Sequence, residues 1–310
     1  MNYPTYFDSK NSLILFDLKK NFKFMSELYF KQNLPKVLMF TGNKGSGKST
    51  LINHFLYSIF DLDYDKDIFA ISKNSNFLKQ YQNNIFSNII YINGADYKSV
   101  KIEDIRNLKK KILQSTISPK DRFIIFDDIE LFNHNSLNAL LKIIEEPSQK
   151  NYFFLINNKS KPILETIKSR ALEIKIILSE KQRLEIINKL VNYYKLDLIL
   201  DPYTSQLTPG DFIKYNFICK EYDIFPTNNF VENLSLLLNI YKKKKDILII
   251  NLLFYLADQY FKDIKDKDLL TNDEIFAIKN YITKNLNNFA LYNLNPKSLI
   301  NAVNKKLIYE

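Results

Sequence analysis

Gly42-Asn43-Lys44-Gly45-Ser46-Gly47-Lys48-Ser49 follows the spacing G-x-x-x-x-G-K-[ST] in full. Glycines at that spacing let a loop bend until its backbone N–H groups point inward at an anion, and a helix starting there adds the positive end of its dipole. The chemistry is phosphate binding. Lys48 would neutralise the β- and γ-phosphates of ATP, and Ser49 would offer its hydroxyl to Mg2+, with Thr50 as the alternative one place later. A second acidic element follows the apolar run Phe123-Ile124-Ile125-Phe126: Asp127 is placed to reach the same magnesium through water. Asp128 stands where ATP-hydrolysing motors usually carry a glutamate that orients the attacking water. Aspartate is one methylene shorter, and a carboxylate about 1 Å out of place can cost on the order of a hundredfold in rate. The expectation is nucleotide binding with weak or absent hydrolysis.

These residues need strands and helices to hold them. Val37-Leu38-Met39-Phe40 reads as a strand that leads through the glycine loop into a helix carrying Leu51, Ile52, Phe55, Leu56 and Ile59. Further strands are predicted at 89–92, 123–126, 152–156 and 172–176, with helices at about 102–114, 134–146 and 162–168 between them. Strands that are apolar without alternation belong to a parallel sheet buried on both faces, so residues 1–178 are expected to form a doubly wound α/β domain. After Ser179, a candidate N-cap, only helical periodicity continues. A small helical domain is expected at 179–224, and beyond Pro226 and the turn Thr227-Asn228-Asn229 an all-helical domain at 225–310.

Composition narrows the classes. With 310 residues, 46% hydrophobic and 25% charged, the chain has a globular composition. A single cysteine, Cys219, and two histidines, His54 and His134, cannot furnish a four-ligand structural zinc site, so no zinc is expected. The first residues lack the basic-then-apolar pattern of a secretory leader, and the run Ile247–Ala257, broken by Asn251, falls short of the roughly 18 residues a membrane span needs. A cytoplasmic location without membrane contact is expected. The formal charge of +10 favours polyanions, although abundant Lys, Asn, Ile and Tyr is also what AT-rich coding DNA produces. Arg106 and Lys109, with Lys110 and Lys111, form a basic helix face suited to weak contact with a DNA backbone.

Asn138-Ala139-Leu140-Leu141-Lys142-Ile143-Ile144-Glu145-Glu146-Pro147 closely resembles the NALLK-x-LEEP helix of bacterial clamp-loader AAA+ subunits. Two glutamates at a helix C-terminus oppose the helix dipole, so something besides helix stability holds them there. Phe153 to Asn158 is similar to that family's sensor 1 strand, with Asn157 at the sensor position. Thr166-Ile167-Lys168-Ser169-Arg170-Ala171 is similar to its SRC segment, with Ala171 in place of cysteine. The resemblance implies an AAA+ P-loop domain, a helical lid and a helical collar. It implies a subunit that uses ATP and Mg2+ within a pentamer that loads a sliding clamp on primed DNA. The partners implied are the other loader subunits, gamma/tau and delta, and through them the clamp. Arg170 is then an arginine finger acting in a neighbour's site. The family's motor subunits carry a four-cysteine module, a glutamate at the position of Asp128 and a sensor 2 arginine near Asp211, and this chain has none of them. The alternative reading is an autonomous AAA+ ATPase, either a gamma/tau-type motor or a repair or remodelling enzyme.

Overall fold

The computed structural model describes residues 3–94, 103, 105, 107, 120–226, 229–266 and 270–308. It divides into two compact units, Tyr3–Ile186 with Thr208–Gly210, and Ile187–Leu207 with Asp211–Glu310. Arg106 and Lys109–Lys111 lie outside the described residues, as do Thr227 and Asn228 of the expected turn.

The apolar runs of the first unit become five strands: β1 (Val37–Thr41), β2 (Ile89–Asn93), β3 (Arg122–Asp127), β4 (Asn151–Asn157) and β5 (Leu172–Lys175). All pair in parallel, in the order β2-β3-β4-β1-β5. The central strands alternate their side chains between two cores. Leu38, Phe40, Phe123, Ile125, Phe154 and Ile156 face one core, shared with α1 (Lys19–Phe30) and α2 (Lys48–Phe60). Met39, Ile124, Phe126, Phe153 and Leu155 face the other, closed by α4 (His134–Ile144) and by α5 (Glu165–Lys168) through Ile167. Burial on both sides is why these strands read as continuous hydrophobes. A helix at α3 (Asn76–Gln82), capped by Ser75, completes the first face.

Two predicted helices come out shorter. The one expected to reach residue 146 ends at Ile144 with Glu145 as its C-cap, and the one expected over 162–168 is reduced to Glu165–Lys168. Pro147 explains the first, since proline disfavours helical backbone at the residue before it. Ser179 does cap α6 (Glu180–Tyr194): its Oγ accepts from Gln182 N at 3.3 Å, and Gln182 Oε1 accepts from Ser179 N at 3.0 Å.

In the second unit, Asn216 on α7 (Pro209–Glu221) ties down the preceding loop, accepting from Ile199 N at 2.8 Å and donating to Asp197 O at 2.8 Å. α8 (Phe230–Lys244), α9 (Ile247–Asp266), α10 (Asn272–Tyr292) and α11 (Pro296–Ile308) pack in sequence, the last returning onto the first. Their apolar stripes meet in a core that includes Leu234, Leu253, Ile282, Phe289 and Val303. Two lysines of the run Lys242–Lys245 pack against this unit. Lys242 Nζ donates to Asn293 O at 2.8 Å and Lys245 also binds Asn293, which places both charges at the C-terminal end of α10. Cys219 is buried, its thiol pushed up to about 12, so it stays protonated. Among the described residues no helix is long and apolar enough to cross a membrane.

His54 on α2 is fully enclosed. Its Nε2–H donates to Ser12 O at 2.9 Å and its Nδ1 accepts from the Tyr64 hydroxyl at 3.1 Å, so the neutral ring satisfies both neighbours. Burial lowers its pKa to about 4. With the folded value below the unfolded one, its contribution is complete above about pH 6.5 and is lost as pH falls towards 4. Between pH 7.5 and 5 the wild type should lose about 2 kcal/mol more stability than His54→Gln, a non-titrating ring substitute. Urea midpoints at the two pH values measure it; equal pH dependence in both proteins would refute the assignment.

Candidate nucleotide site

Parallel strands bring their C-terminal ends to one edge of the sheet, where open α/β folds gather their ligand groups. Register places Thr41 beside Asn157 and Asn93 beside Asp127, so the glycine loop, the two aspartates and the asparagine pair share that edge. Gly42 N donates to Asn157 O at 3.2 Å, which joins the start of the loop to the end of β4.

The loop has the shape a phosphate cradle requires. Gly47 caps α2 with φ 93°, a left-handed conformation that a side chain would strain. Lys48 begins the helix, so the positive end of the α2 dipole lies at the loop. Lys48 itself is buried, with Nζ donating to Gly42 O at 2.7 Å and Asn43 O at 2.8 Å. An ammonium held among loop carbonyls is a cation already directed into the cradle. The turn Thr208-Pro209-Gly210 closes on the same loop: Gly210 N donates to Gly45 O at 2.9 Å. A Cβ at Gly210 would stand 2.8 Å from Gly45 Cα, so only glycine fits there.

The two carboxylates are held differently. Asp127 Oδ1 accepts from the Asp128 backbone N–H at 2.8 Å, and Oδ2 accepts a short hydrogen bond from the Tyr91 hydroxyl. Burial raises its pKa; the Tyr91 bond opposes that rise and the adjacent Asp128 charge adds to it. Asp128 adopts a left-handed backbone with φ 49°. Its Oδ1 accepts from Asn158 Nδ2 at 2.6 Å, and its Oδ2 lies 3.4 Å from Lys44 Nζ. Both oxygens of the residue at the water-orienting position are therefore engaged by protein.

Asn157, expected at the sensor position, accepts from Lys159 N–H at 3.0 Å through Oδ1, whereas the next residue, Asn158, reaches the carboxylates. Buried Glu130 supports that arrangement by accepting from Asn158 N at 3.0 Å and from Ser160 Oγ at 2.9 Å. No local pattern in the sequence marks Asn158, Glu130 or Tyr91 as part of the site. The doublet Asn157-Asn158 was the one available signal, and nothing in it chose between the two.

The residues fit ATP and magnesium by their chemistry: a helix N-terminus and a buried ammonium for phosphate, and Ser49 and Asp127 oxygens for a hard cation. Among the described residues no three His, Cys, Asp or Glu side chains cluster to hold a metal alone. Magnesium here would complete its shell with phosphate oxygens and water.

Arg170 lies at the other edge. It precedes β5, whose Leu172 is level with Leu38, while the glycine loop leaves β1 only after Thr41, level with Lys175. That separation is at least about 10 Å along the strands. The guanidinium pairs with Glu145 Oε1 at 2.8 Å and donates to Thr166 O at 2.9 Å. The pair explains the acidic helix end, because Arg170 offsets the charge that Glu145 places against the dipole.

Comparison with known proteins places the chain in a family. A family model described as "DNA polymerase III, delta subunit" matches residues 18–179. DNA polymerase III subunit delta' of Buchnera aphidicola subsp. Schizaphis graminum is 26% identical over 198 residues, covering 61% of this chain and 60% of its own length. The corresponding subunit of Buchnera aphidicola subsp. Acyrthosiphon pisum is 27% identical over 203 residues, with 61% of each chain covered. The chain thus spans about three fifths of the length of these relatives. A solved gamma-subunit-related protein of Thermotoga maritima aligns over 91% of this chain and 96% of its own, at 15% identity and a TM-score of 0.44. The family model alone covers just over half of the 310 residues, including the glycine loop, both aspartates and Arg170, and on that match the chain belongs to the delta prime clamp-loader family of DNA polymerase III.

Proposed function

We propose that the protein is a clamp-loader subunit that binds ATP with magnesium at the Gly42–Thr50 loop and supplies Arg170 to the ATP site of a neighbouring subunit. The observation that carries this reading is the family match over 18–179, which contains the glycine loop, both aspartates and Arg170. Lys48 and the loop amides bind the phosphates; Ser49 and, through water, Asp127 hold the magnesium, which shields phosphate charge when bound. Asp128 is short for orienting a water and is occupied by Asn158 and Lys44, which favours slow turnover at this site. Arg170, at the opposite sheet edge from its own loop, is suited to serving another chain. The partners are the gamma/tau and delta subunits, with the sliding clamp and primed DNA engaged through the assembly; Arg106 and Lys109 are the proposed DNA-backbone contacts. Residues 179–224 and 225–310 act as lid and collar in this reading.

The test is reconstitution with gamma/tau and delta, followed by clamp loading on primed DNA and steady-state ATP turnover of the isolated chain. Assembly and loading with little turnover by the chain alone are expected. Failure to assemble, or turnover by the isolated chain at the rate of the motor subunits, would favour the autonomous ATPase instead.

A further inference from the structure

Tyr91 and Asp127 share a sheet face. Tyr91 is level with Ile125 in the β2–β3 register, and Asp127 lies two residues beyond Ile125, so both side chains fall on the side occupied by α2, the helix that follows the glycine loop. From there the Tyr91 hydroxyl donates to Asp127 Oδ2. The ring is itself held: Lys10 Nζ lies 5.4 Å from its centroid, and the same ammonium donates to Asn84 Oδ1 at 2.6 Å. With Tyr91 on one oxygen and the Asp128 N–H on the other, the carboxylate plane has a donor at each end. Oδ1 also accepts from Asn158 Nδ2 at 3.5 Å, so Oδ2 is the oxygen that keeps a lone pair for a water.

We propose that Tyr91 is a positioning residue for magnesium at the nucleotide site, fixing the orientation of Asp127 through its phenol. The proposal rests on the reading of Gly42–Thr50 as an ATP site. A donor that orients a metal-holding carboxylate typically changes metal affinity by 10- to 100-fold when lost. A contact relayed through water belongs at the lower end of that range.

The experiment titrates a fluorescent ATP analogue against the full chain, with Mg2+ varied from zero in EDTA to saturation, for wild type, Tyr91→Phe, Asp127→Ala and the double variant. Phenylalanine keeps the ring and removes only the hydroxyl, and thermal unfolding checks that the fold is retained. Tyr91→Phe should raise the Mg2+ half-saturation about tenfold while leaving affinity in EDTA within about twofold. In the Asp127→Ala background it should have no further effect on the Mg2+ dependence. An unchanged Mg2+ half-saturation, or an equal loss in EDTA and in Mg2+, would overturn the positioning role. No nucleotide binding by wild type would overturn the underlying ATP-site reading and the inference with it, whereas normal binding with unaltered Mg2+ dependence overturns the inference alone.

Discussion

Replacing Arg170 with alanine should leave the chain's own ATP affinity unchanged and slow DNA-stimulated ATP turnover in the reconstituted loader. The separation follows from the parallel register, which puts Arg170 and the glycine loop at opposite ends of β5 and β1. A planar guanidinium delivered to a transferring phosphoryl group accounts for on the order of a thousandfold in rate at the site it serves. The whole assembly would lose less, because other subunits bring their own arginines. Arg170→Lys should not rescue, since an ammonium lacks the fork that spans two oxygens. Destabilisation is a small confounder: the Arg170–Glu145 pair is partly exposed, and such pairs contribute at most about 1 kcal/mol. Glu145→Gln separates the roles by releasing Arg170 without removing it, and should retain turnover. Full turnover with Arg170→Ala would end the trans-acting role.

Lys48→Ala should weaken ATP binding on the order of a hundredfold, about 2.7 kcal/mol. The side chain is 3% exposed and its ammonium is held by the Gly42 and Asn43 carbonyls, so it reaches the cradle without first being ordered from solvent. Charge-assisted hydrogen bonds contribute about 1.5–3 kcal/mol each, and one or two to phosphate suffice for an effect of that size. A fluorescent ATP titration reads it directly, with the thermal unfolding midpoint as the control for damage to the loop. Equal affinity in wild type and variant would remove the glycine loop from nucleotide binding and leave the fold without its expected ligand.

Much of this protein was legible in its residues because the determining interactions are local or periodic. The spacing from Gly42 to Ser49 requires no tertiary information, since a tight loop followed by a helix depends on neighbouring backbone alone. Phe123 to Asp127 announced a buried strand ending in a carboxylate for the same reason, and β3 is found at Arg122–Asp127. Ser179 was readable as a cap because its partner Gln182 is three residues away.

The tertiary structure decided which side chains converge once the strands are in register. Asn157 and Asn158 are equivalent in sequence, but β4 buries both faces through Asn157, whose oxygen closes a local turn, and the chain beyond it turns Asn158 towards Asp128. Tyr91 resembled any other residue of a β2 strand until the register placed its hydroxyl at Asp127, 36 residues away. Glu145 appeared misplaced at its helix end until Arg170, from another element, came within 2.8 Å of it. The physical reason is common to all three. Backbone patterns follow from nearest-neighbour sterics and the burial of apolar faces, whereas a polar side chain takes its partner from whichever distant element the sheet order carries to it.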